Sequence, residues 1–315
     1  MKDILVSVCL ITYKHEKYIQ QAIESILTQN IKFSWEIIIA DDCSPDGTRE
    51  ILLKYKEQHP DLIQLILQKK NVGPGDNYIA LMSAAQGKYI AYLEGDDYWS
   101  DPNKLQRQID FLESNPDYGM ACTDSQFYLE KKNEIVVYSS IFPSDTDISL
   151  ETLLLKNRII ALTAVFRTSL FRQVSGILQI ADSKKWKMGD YPLWIEMAAN
   201  SNIRYLNFRS GVYRVLQNSV TGRSSKGKEM NFEASVYDVQ CFFVKKYMSQ
   251  NLALINQIEA IHAAKMIKFH IKMMEGKSLS MVIKKIFRLK IGLQVMKELM
   301  NLVLNKLRER EITAE

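Results

Sequence analysis

Two short apolar runs near the N-terminus each lead into a pair of aspartates, and each stands between helical patterns. Trp35 to Ala40 runs into Asp41-Asp42, and Lys88 to Leu93 runs through Glu94-Gly95 into Asp96-Asp97. A strand that is apolar along its whole length has both faces covered, as in a mostly parallel sheet flanked by helices. In such sheets ligands sit beyond the carboxyl ends of the strands. The paired acids are therefore expected on the ligand-binding rim.

The alternation extends on both sides of these runs. Ile4 to Ile11 and Leu62 to Leu67 are further expected strands. Lys17 to Gln29 is an expected helix, with Ile19, Ala22, Ile23, Ile26 and Leu27 on one side, as are Thr48 to Gln58 and the segment from Gly75 to Ala85. Asp101-Pro102 has the form of a helix start, Asp as N-cap and Pro in the first turn. Beyond Asn115, strands are expected at Tyr118 to Ser125, Phe127 to Glu130, Glu134 to Tyr138, Ile159 to Phe166, Ile203 to Phe208 and Gly211 to Val215, with a short helix at Asp190 to Asn200. From Phe232 onward the pattern is helical. The expected organisation is an α/β domain over residues 1–224 and a helical region over 225–315.

Composition narrows the class. Of 315 residues, 47% are hydrophobic and 24% charged, which suits an ordinary globular protein. The longest clean apolar stretch, Ile159 to Phe166, is far shorter than the ~18 residues of a membrane span. Met1-Lys2-Asp3 leads straight into Ile4-Leu5-Val6, unlike a secretory signal, so a cytoplasmic location is expected. Cys9, Cys43, Cys122 and Cys241 are scattered without a Cys-x-x-Cys pair, and the first and third lie in apolar runs, so free thiols are expected. Residues 225–315 carry 16 Lys+Arg against 9 Asp+Glu, or +7, while the rest carries −2. A basic tail suits an anionic partner or a solvated helix face equally well.

Adjacent carboxylates on a tight turn at a strand end can hold Mg²⁺ or Mn²⁺ together with phosphates and water. They can equally be an acidic turn before the next helix, and Asp96-Asp97 alone leaves the two readings level. The pair has company, however. Val6-Ser7-Val8-Cys9-Leu10-Ile11-Thr12-Tyr13, Glu36-Ile37-Ile38-Ile39-Ala40-Asp41-Asp42-Cys43-Ser44-Pro45-Asp46-Gly47-Thr48, Asn71-Val72-Gly73 and Glu94-Gly95-Asp96-Asp97-Tyr98-Trp99 follow one another in order. Together they resemble the family 2 glycosyltransferases of GT-A fold, most closely those that build bacterial surface polysaccharides, over about residues 4–115.

The resemblance implies an inverting transfer of sugar from a nucleotide-diphosphate donor, UDP-sugar favoured, to a hydroxyl of a glycan or lipid-linked glycan. Tyr13 would line the base, with Ile11 and Thr12 beside it, and Asp42 would accept a hydrogen bond from the base. Asp96 would meet ribose or metal, and Asp97 would hold Mn²⁺ or Mg²⁺ on the diphosphate. Asp190, ahead of Leu193-Trp194, resembles the family's general base, although as a plain residue it could merely cap a helix. Gly189 stands where the family often has Glu, and Val215-Leu216 after Tyr213-Arg214 lacks the family's His. Arg214 remains a candidate for the diphosphate or for a surface acid. The four histidines are expected to take no part, and Trp99, Trp186 and Trp194 to pack in the core.

Two further features await a role. Residues 219–228, rich in Ser, Gly and basic side chains, suit a lid over the donor or a linker. Val282, Ile286, Leu289, Leu293, Met296, Met300, Val303 and Leu307 make an amphipathic stripe. It would pack on the domain, pair with a second copy in a homo-oligomer, or lie peripherally on the inner membrane face. Nucleic acid is not an expected partner. No Gly-rich phosphate loop follows the first strand, which disfavours a nucleotidyltransferase, and a glycoside hydrolase would leave the base-binding residues without purpose. The rival outside enzymology is a non-catalytic binding module for nucleotide-sugar, membrane or nucleic acid on the same scaffold, which four intact aspartates argue against.

Overall fold

The computed structural model of the chain describes residues 3–137, 141–216 and 226–273. It divides into two compact units, with the division after Leu216. The first unit contains, in order, β1 (Val6–Thr12), α1 (Ile19–Leu27), β2 (Trp35–Asp41), α2 (Thr48–Gln58), β3 (Ile63–Leu67), α3 (Pro74–Ser83), β4 (Tyr89–Glu94), β5 (Tyr98–Trp99) and α4 (Lys104–Ser114). There follow β6 (Tyr118–Leu129), β7 (Glu134–Val136), β8 (Thr146–Asp147), α5 (Leu150–Leu155), β9 (Val165–Arg167), α6 (Thr168–Val174), α7 (Gly176–Ser183), α8 (Asp190–Asn200) and β10 (Asn202–Val215).

The strands form one mostly parallel sheet in the order β3-β2-β1-β4-β9-β6-β10-β5, with β7 beside β6 and β8 beside β10. β1 is buried through five consecutive residues because β2 and β4 flank it and helices cover both faces. α1 buries Ile19, Ala22, Ile23 and Ile26, the spacing that puts four side chains on one helical face. The short antiparallel β9 fixes the geometry of the rim. Val165 pairs with Ala91 on one side and Ala121 on the other, so β4 and β6 point the same way and their carboxyl ends open together.

Several boundaries differ from the sequence expectation for local reasons. α4 starts at Lys104 with Asn103 as N-cap, not at Asp101-Pro102. The Asp101 carboxylate instead accepts the Asn103 N–H at 2.8 Å and pairs with Arg107 at 3.2 Å, closing a turn before the helix. Ile159 to Phe166 is not one strand: Ala161–Thr163 is a 3₁₀ turn and the strand begins at Val165. There the Leu162 and Thr163 carbonyls accept from Trp99 Nε1 and Gln108 Nε2, each at 2.9 Å, in place of a ladder. The runs 203–208 and 211–215 are a single strand, β10, whose register against β6 shifts at Leu206/Arg209 and Arg209/Gly211. Tyr118–Leu129 is likewise one strand.

The second unit holds α9 (Lys226–Tyr247) and α10 (Leu252–Met273). Tyr237 of α9 stacks on His262 of α10 at 3.9 Å, and Lys265 pairs with Glu233 at 2.6 Å. No helix of the described residues is long and apolar enough to cross a membrane. All four cysteines are free. Most of the expected lid and the whole 282–307 stripe lie outside the described residues.

Candidate active site

The acidic turn follows β4. Asp97 is 1% exposed, and its Oδ1 accepts the backbone N–H of Arg214 at 2.7 Å. Its Oδ2 is buried with no hydrogen-bond partner. Burial, reinforced by the Asp96 and Glu94 charges, pushes the Asp97 carboxyl well above the usual range, against the opposing pull of Arg214. The Arg214 guanidinium donates to the Asp96 carbonyl and to Gln21 Oε1, and lies between the rings of Tyr98 (4.7 Å) and Tyr18 (5.1 Å). Its charge thus holds the turn from behind.

Glu94, the last residue of β4, was not singled out in the sequence. Burial, then Asp96, then Asp190, push its carboxyl up to about 8. Asp190, first residue of α8, is itself raised by burial while the helix-terminal N–H groups of Tyr191 and Asp190 oppose the rise. Glu94 thus links the acids: it feels the charges of Asp96 and Asp190, while Asp97 feels those of Asp96 and Glu94. Tyr78, Tyr92 and Tyr213 surround them, each raised chiefly by burial and then by neighbouring charges that include Glu94 and Asp190. The Tyr78 hydroxyl is buried without a partner.

Ile11, Thr12, Tyr13 and Asp42 form a second group at the ends of β1 and β2. The Thr12 carbonyl accepts the Asp42 N–H at 3.1 Å, and the Ile11 carbonyl accepts the Gly95 N–H at 2.9 Å, tying this group to the acidic turn. Asp42 is 3% exposed and accepts the N–H groups of Val72 (2.7 Å) and Gly73 (3.0 Å), one on each oxygen. Each oxygen keeps a second lone pair. Tyr13 is half-buried with the Lys14 ammonium 5.0 Å from its ring centroid. Lys14 and Cys43 both adopt the left-handed backbone region, at φ 60° and 57°, and the Lys14 N–H donates to Ser44 Oγ at 3.0 Å. Such strain collects at functional loops.

Two residues join the groups without an expected role: His15, one of the histidines expected to take no part, and Arg49. His15 places Nδ1 3.2 Å from Thr12 Oγ1 and Nε2 3.9 Å from Asp96 Oδ2, with burial holding its pKa down despite Asp96. Arg49 pairs with the fully buried Asp41 through Nε (2.8 Å) and Nη2 (2.7 Å). Neither follows from spacing, since each depends on a turn between strand and helix.

The residues present fit a divalent cation that shares its ligands with a substrate. Among the described residues no three or more His, Cys, Asp or Glu side chains are grouped to hold a metal by themselves. Asp97 Oδ2 is nevertheless an unpartnered carboxyl oxygen beside Asp96, and a bound cation would favour its charged form. Mg²⁺ and Mn²⁺ sites built from one or two carboxylates plus phosphates need no more from the protein.

Comparison with known proteins agrees with this layout. The Escherichia coli protein WfgD, named a UDP-Glc:α-D-GlcNAc-diphosphoundecaprenol β-1,3-glucosyltransferase, is 28% identical over 82% of this chain and 94% of its own. Mycobacterial relatives are 35% identical over 164 residues, and the match spans about half of their length, 46%. S. aureus TarS with UDP-GlcNAc superposes with TM-score 0.60 at 18% identity, covering 95% of this chain and 79% of that one. The mannosyltransferase PcManGT of Pyrobaculum calidifontis with GDP-Man and Mn²⁺ gives 0.59 at 14%, covering 95% and 86%. These two establish a shared GT-A fold. The family model for Glycosyl transferase family 2 matches residues 7–174, more than half of the chain and all four motifs that frame the rim; the chain belongs to that family.

Proposed function

We propose that this chain transfers one sugar from a nucleotide-diphosphate donor to a glycan hydroxyl with inversion, in surface polysaccharide assembly. The observation that carries the reading is the acidic turn itself: Asp97 keeps a buried, unpartnered Oδ2, and the adjoining Glu94 feels the charges of both Asp96 and Asp190. Tyr13 offers a ring face to the base. Asp42 keeps lone pairs for a base N–H, and Ile11 and Thr12 stand beside it, tied by their carbonyls to Gly95 and Asp42. Asp96 and Asp97 would hold Mn²⁺ or Mg²⁺, which when bound supplies Lewis-acid stabilisation of the departing diphosphate. Arg214 adds positive charge behind that turn.

Asp190 is the general base. As the acceptor oxygen bonds to the anomeric carbon and the bond to the diphosphate oxygen breaks, its carboxylate takes the hydroxyl proton. Burial raises its pKa against the opposing helix-terminal N–H groups, which makes it a stronger proton acceptor than an ordinary exposed carboxylate. The named activity of WfgD and the ligand of TarS favour a UDP-sugar donor and, from WfgD, a lipid-linked acceptor. Work at the cytoplasmic membrane face, with peripheral contact through the C-terminal region, belongs to the same reading. The test is a thermal-shift panel of UDP, GDP, dTDP and CMP with and without Mn²⁺, on wild type and Asp97→Asn. A Mn²⁺-dependent upshift with one nucleotide, lost in the variant, is expected. No shift with any nucleotide would sink the reading.

A further inference from the structure

Lys104, at the start of α4, is fully buried. Its Nζ donates to Gln108 Oε1 at 2.7 Å and stands 4.5 Å from the centroid of the Trp99 ring. None of the described ion pairs includes it; the charged or titratable groups facing it are Cys122 of β6 and Asp101 before α4. Burying an amine without a carboxylate is costly, so a position needing only packing would be filled by an apolar side chain. The amine must therefore do something that methionine would not.

Its neighbours show what that is. Gln108 spends both amide hydrogens on the carbonyls of Ala121 and Thr163, at 2.9 Å each, which leaves its Oε1 to Lys104. Trp99 is fixed by its backbone N–H to Ser25 Oγ (3.0 Å) and its indole N–H to the Leu162 carbonyl (2.9 Å). The lysine covers its ring face. Trp99 also pairs with Gly211 of β10, where a Cβ would fall 2.4 Å from Leu162 Cδ1 and 2.9 Å from the Tyr98 carbonyl. That close approach brings β10 alongside the acidic turn, and three residues further on Arg214 donates to Asp97. The turn is thus suspended between Trp99 on one side and Arg214 on the other.

We propose that Lys104 is a positioning residue: clamped between Gln108 and the Trp99 ring, its ammonium fixes Trp99 and so sets the Asp96 and Asp97 carboxylates where a cation-bound diphosphate requires them. This rests on the donor-site reading above. A pH signature separates it from mere packing. Burial pulls the Lys104 amine down to about 7, and only its charged form attracts the indole face.

The experiment is calorimetric titration of the full chain with UDP and, in parallel, GDP, in saturating Mn²⁺, between about pH 6 and about pH 9. Wild type, Lys104→Met and Lys104→Gln are compared, with thermal unfolding confirming that each folds. Methionine is expected to weaken diphosphate binding about tenfold at the acid end, and glutamine, uncharged but able to donate to Gln108, nearly as much. The gap to wild type is expected to close above about pH 8 as the native amine loses its proton. Carboxylate titrations common to all three proteins cancel in that gap. A gap that is absent, or constant across the range, overturns the proposal while leaving the donor site standing. Failure of wild type to bind either diphosphate overturns both.

Discussion

The backbone N–H of Arg214 donates to Asp97 Oδ1 at 2.7 Å and leaves Oδ2 buried and unpaired. A fold optimised only for stability would not keep a carboxylate in that state, because an unpaired buried acceptor costs about 1 to 3 kcal/mol, and more when charged. Asp97→Asn deletes a charge that burial, Asp96 and Glu94 all disfavour, and is therefore expected to hold or raise the unfolding free energy in the absence of ligand. The same change should remove the Mn²⁺-dependent nucleotide upshift. Urea unfolding beside the thermal-shift panel checks both halves. A variant that loses stability would mean that the amide N–H groups, buried without acceptors, cost more than the deleted charge returns.

Glu94 gives a pH dependence of definite sign. Its folded pKa is raised from 4.5 to about 8. The folded state therefore keeps a proton that the unfolded chain releases between those values. The contribution to stability is fully present below the unfolded pKa and is lost as pH rises through about 8. Thermal midpoints of the ligand-free protein should fall from about pH 5 to about pH 8, and Glu94→Gln should flatten that decline. Mn²⁺ with UDP should flatten it too, since a bound cation favours the charged carboxylate. An unchanged slope in Glu94→Gln would assign the decline to other groups.

The sheet was legible because its strands are apolar on both faces: Val6–Thr12, Trp35–Asp41 and Tyr89–Glu94 stand within two residues of where the sequence put them. The helix Thr48–Gln58 has the expected ends. Legibility failed where a side chain bonds to a distant backbone. Gln108 and Trp99 capture the carbonyls of 162 and 163 and curl an expected strand into a turn, and no local pattern announces that. The acidic pair Asp96-Asp97 was visible as a motif, whereas Glu94 looked like the end of a strand. Its role emerges only when α8 brings Asp190 near it, across almost a hundred residues of chain.

Asp42 is expected to serve the fold and the ligand at once. Its two oxygens satisfy the Val72 and Gly73 N–H groups at 2.7 and 3.0 Å, and Gly73 holds a left-handed φ of 89° there. Asp42→Ala frees two donors in a partly buried loop and should cost about 2 to 4 kcal/mol in urea unfolding. Nucleotide affinity should fall further than the stability loss explains. Asp42→Asn, which keeps one acceptor, should recover about half the stability. Normal nucleotide binding in folded Asp42→Ala would remove Asp42 from the base pocket.

Arg49 and Asp41 test the scaffold apart from the chemistry. Asp41 is fully buried, while Arg49 is about a third exposed, so the pair lies at the edge of the low-dielectric interior. Arg49 also donates to the Gln68 carbonyl at 2.8 Å, linking α2 to the end of β3. Removing the guanidinium strands a buried carboxylate, a change that typically costs about 3 to 5 kcal/mol. Arg49→Met should approach that loss in chemical denaturation. Adding Asp41→Asn should restore part of it by removing the uncompensated charge. If the double variant is no more stable than Arg49→Met, the cost comes from the lost Gln68 contact instead.

Tyr78 is the converse of Asp42, a polar group in the site with no bond to lose. Its hydroxyl is buried and unpartnered, and its ring meets Tyr92 edge-on at 5.4 Å. Phenylalanine keeps the ring contact and deletes only the orphan oxygen. Tyr78→Phe should therefore be neutral or stabilising by up to about 1 kcal/mol, since an unmade hydrogen bond carries a desolvation cost without a return. The hydroxyl lies close enough to Glu94 and Asp190 for their charges to raise its pKa. If it meets substrate, the same variant will lose transfer rate while its unfolding free energy holds or rises. A fall in stability would instead mean that the hydroxyl is hydrogen-bonded in the folded protein, through an ordered water.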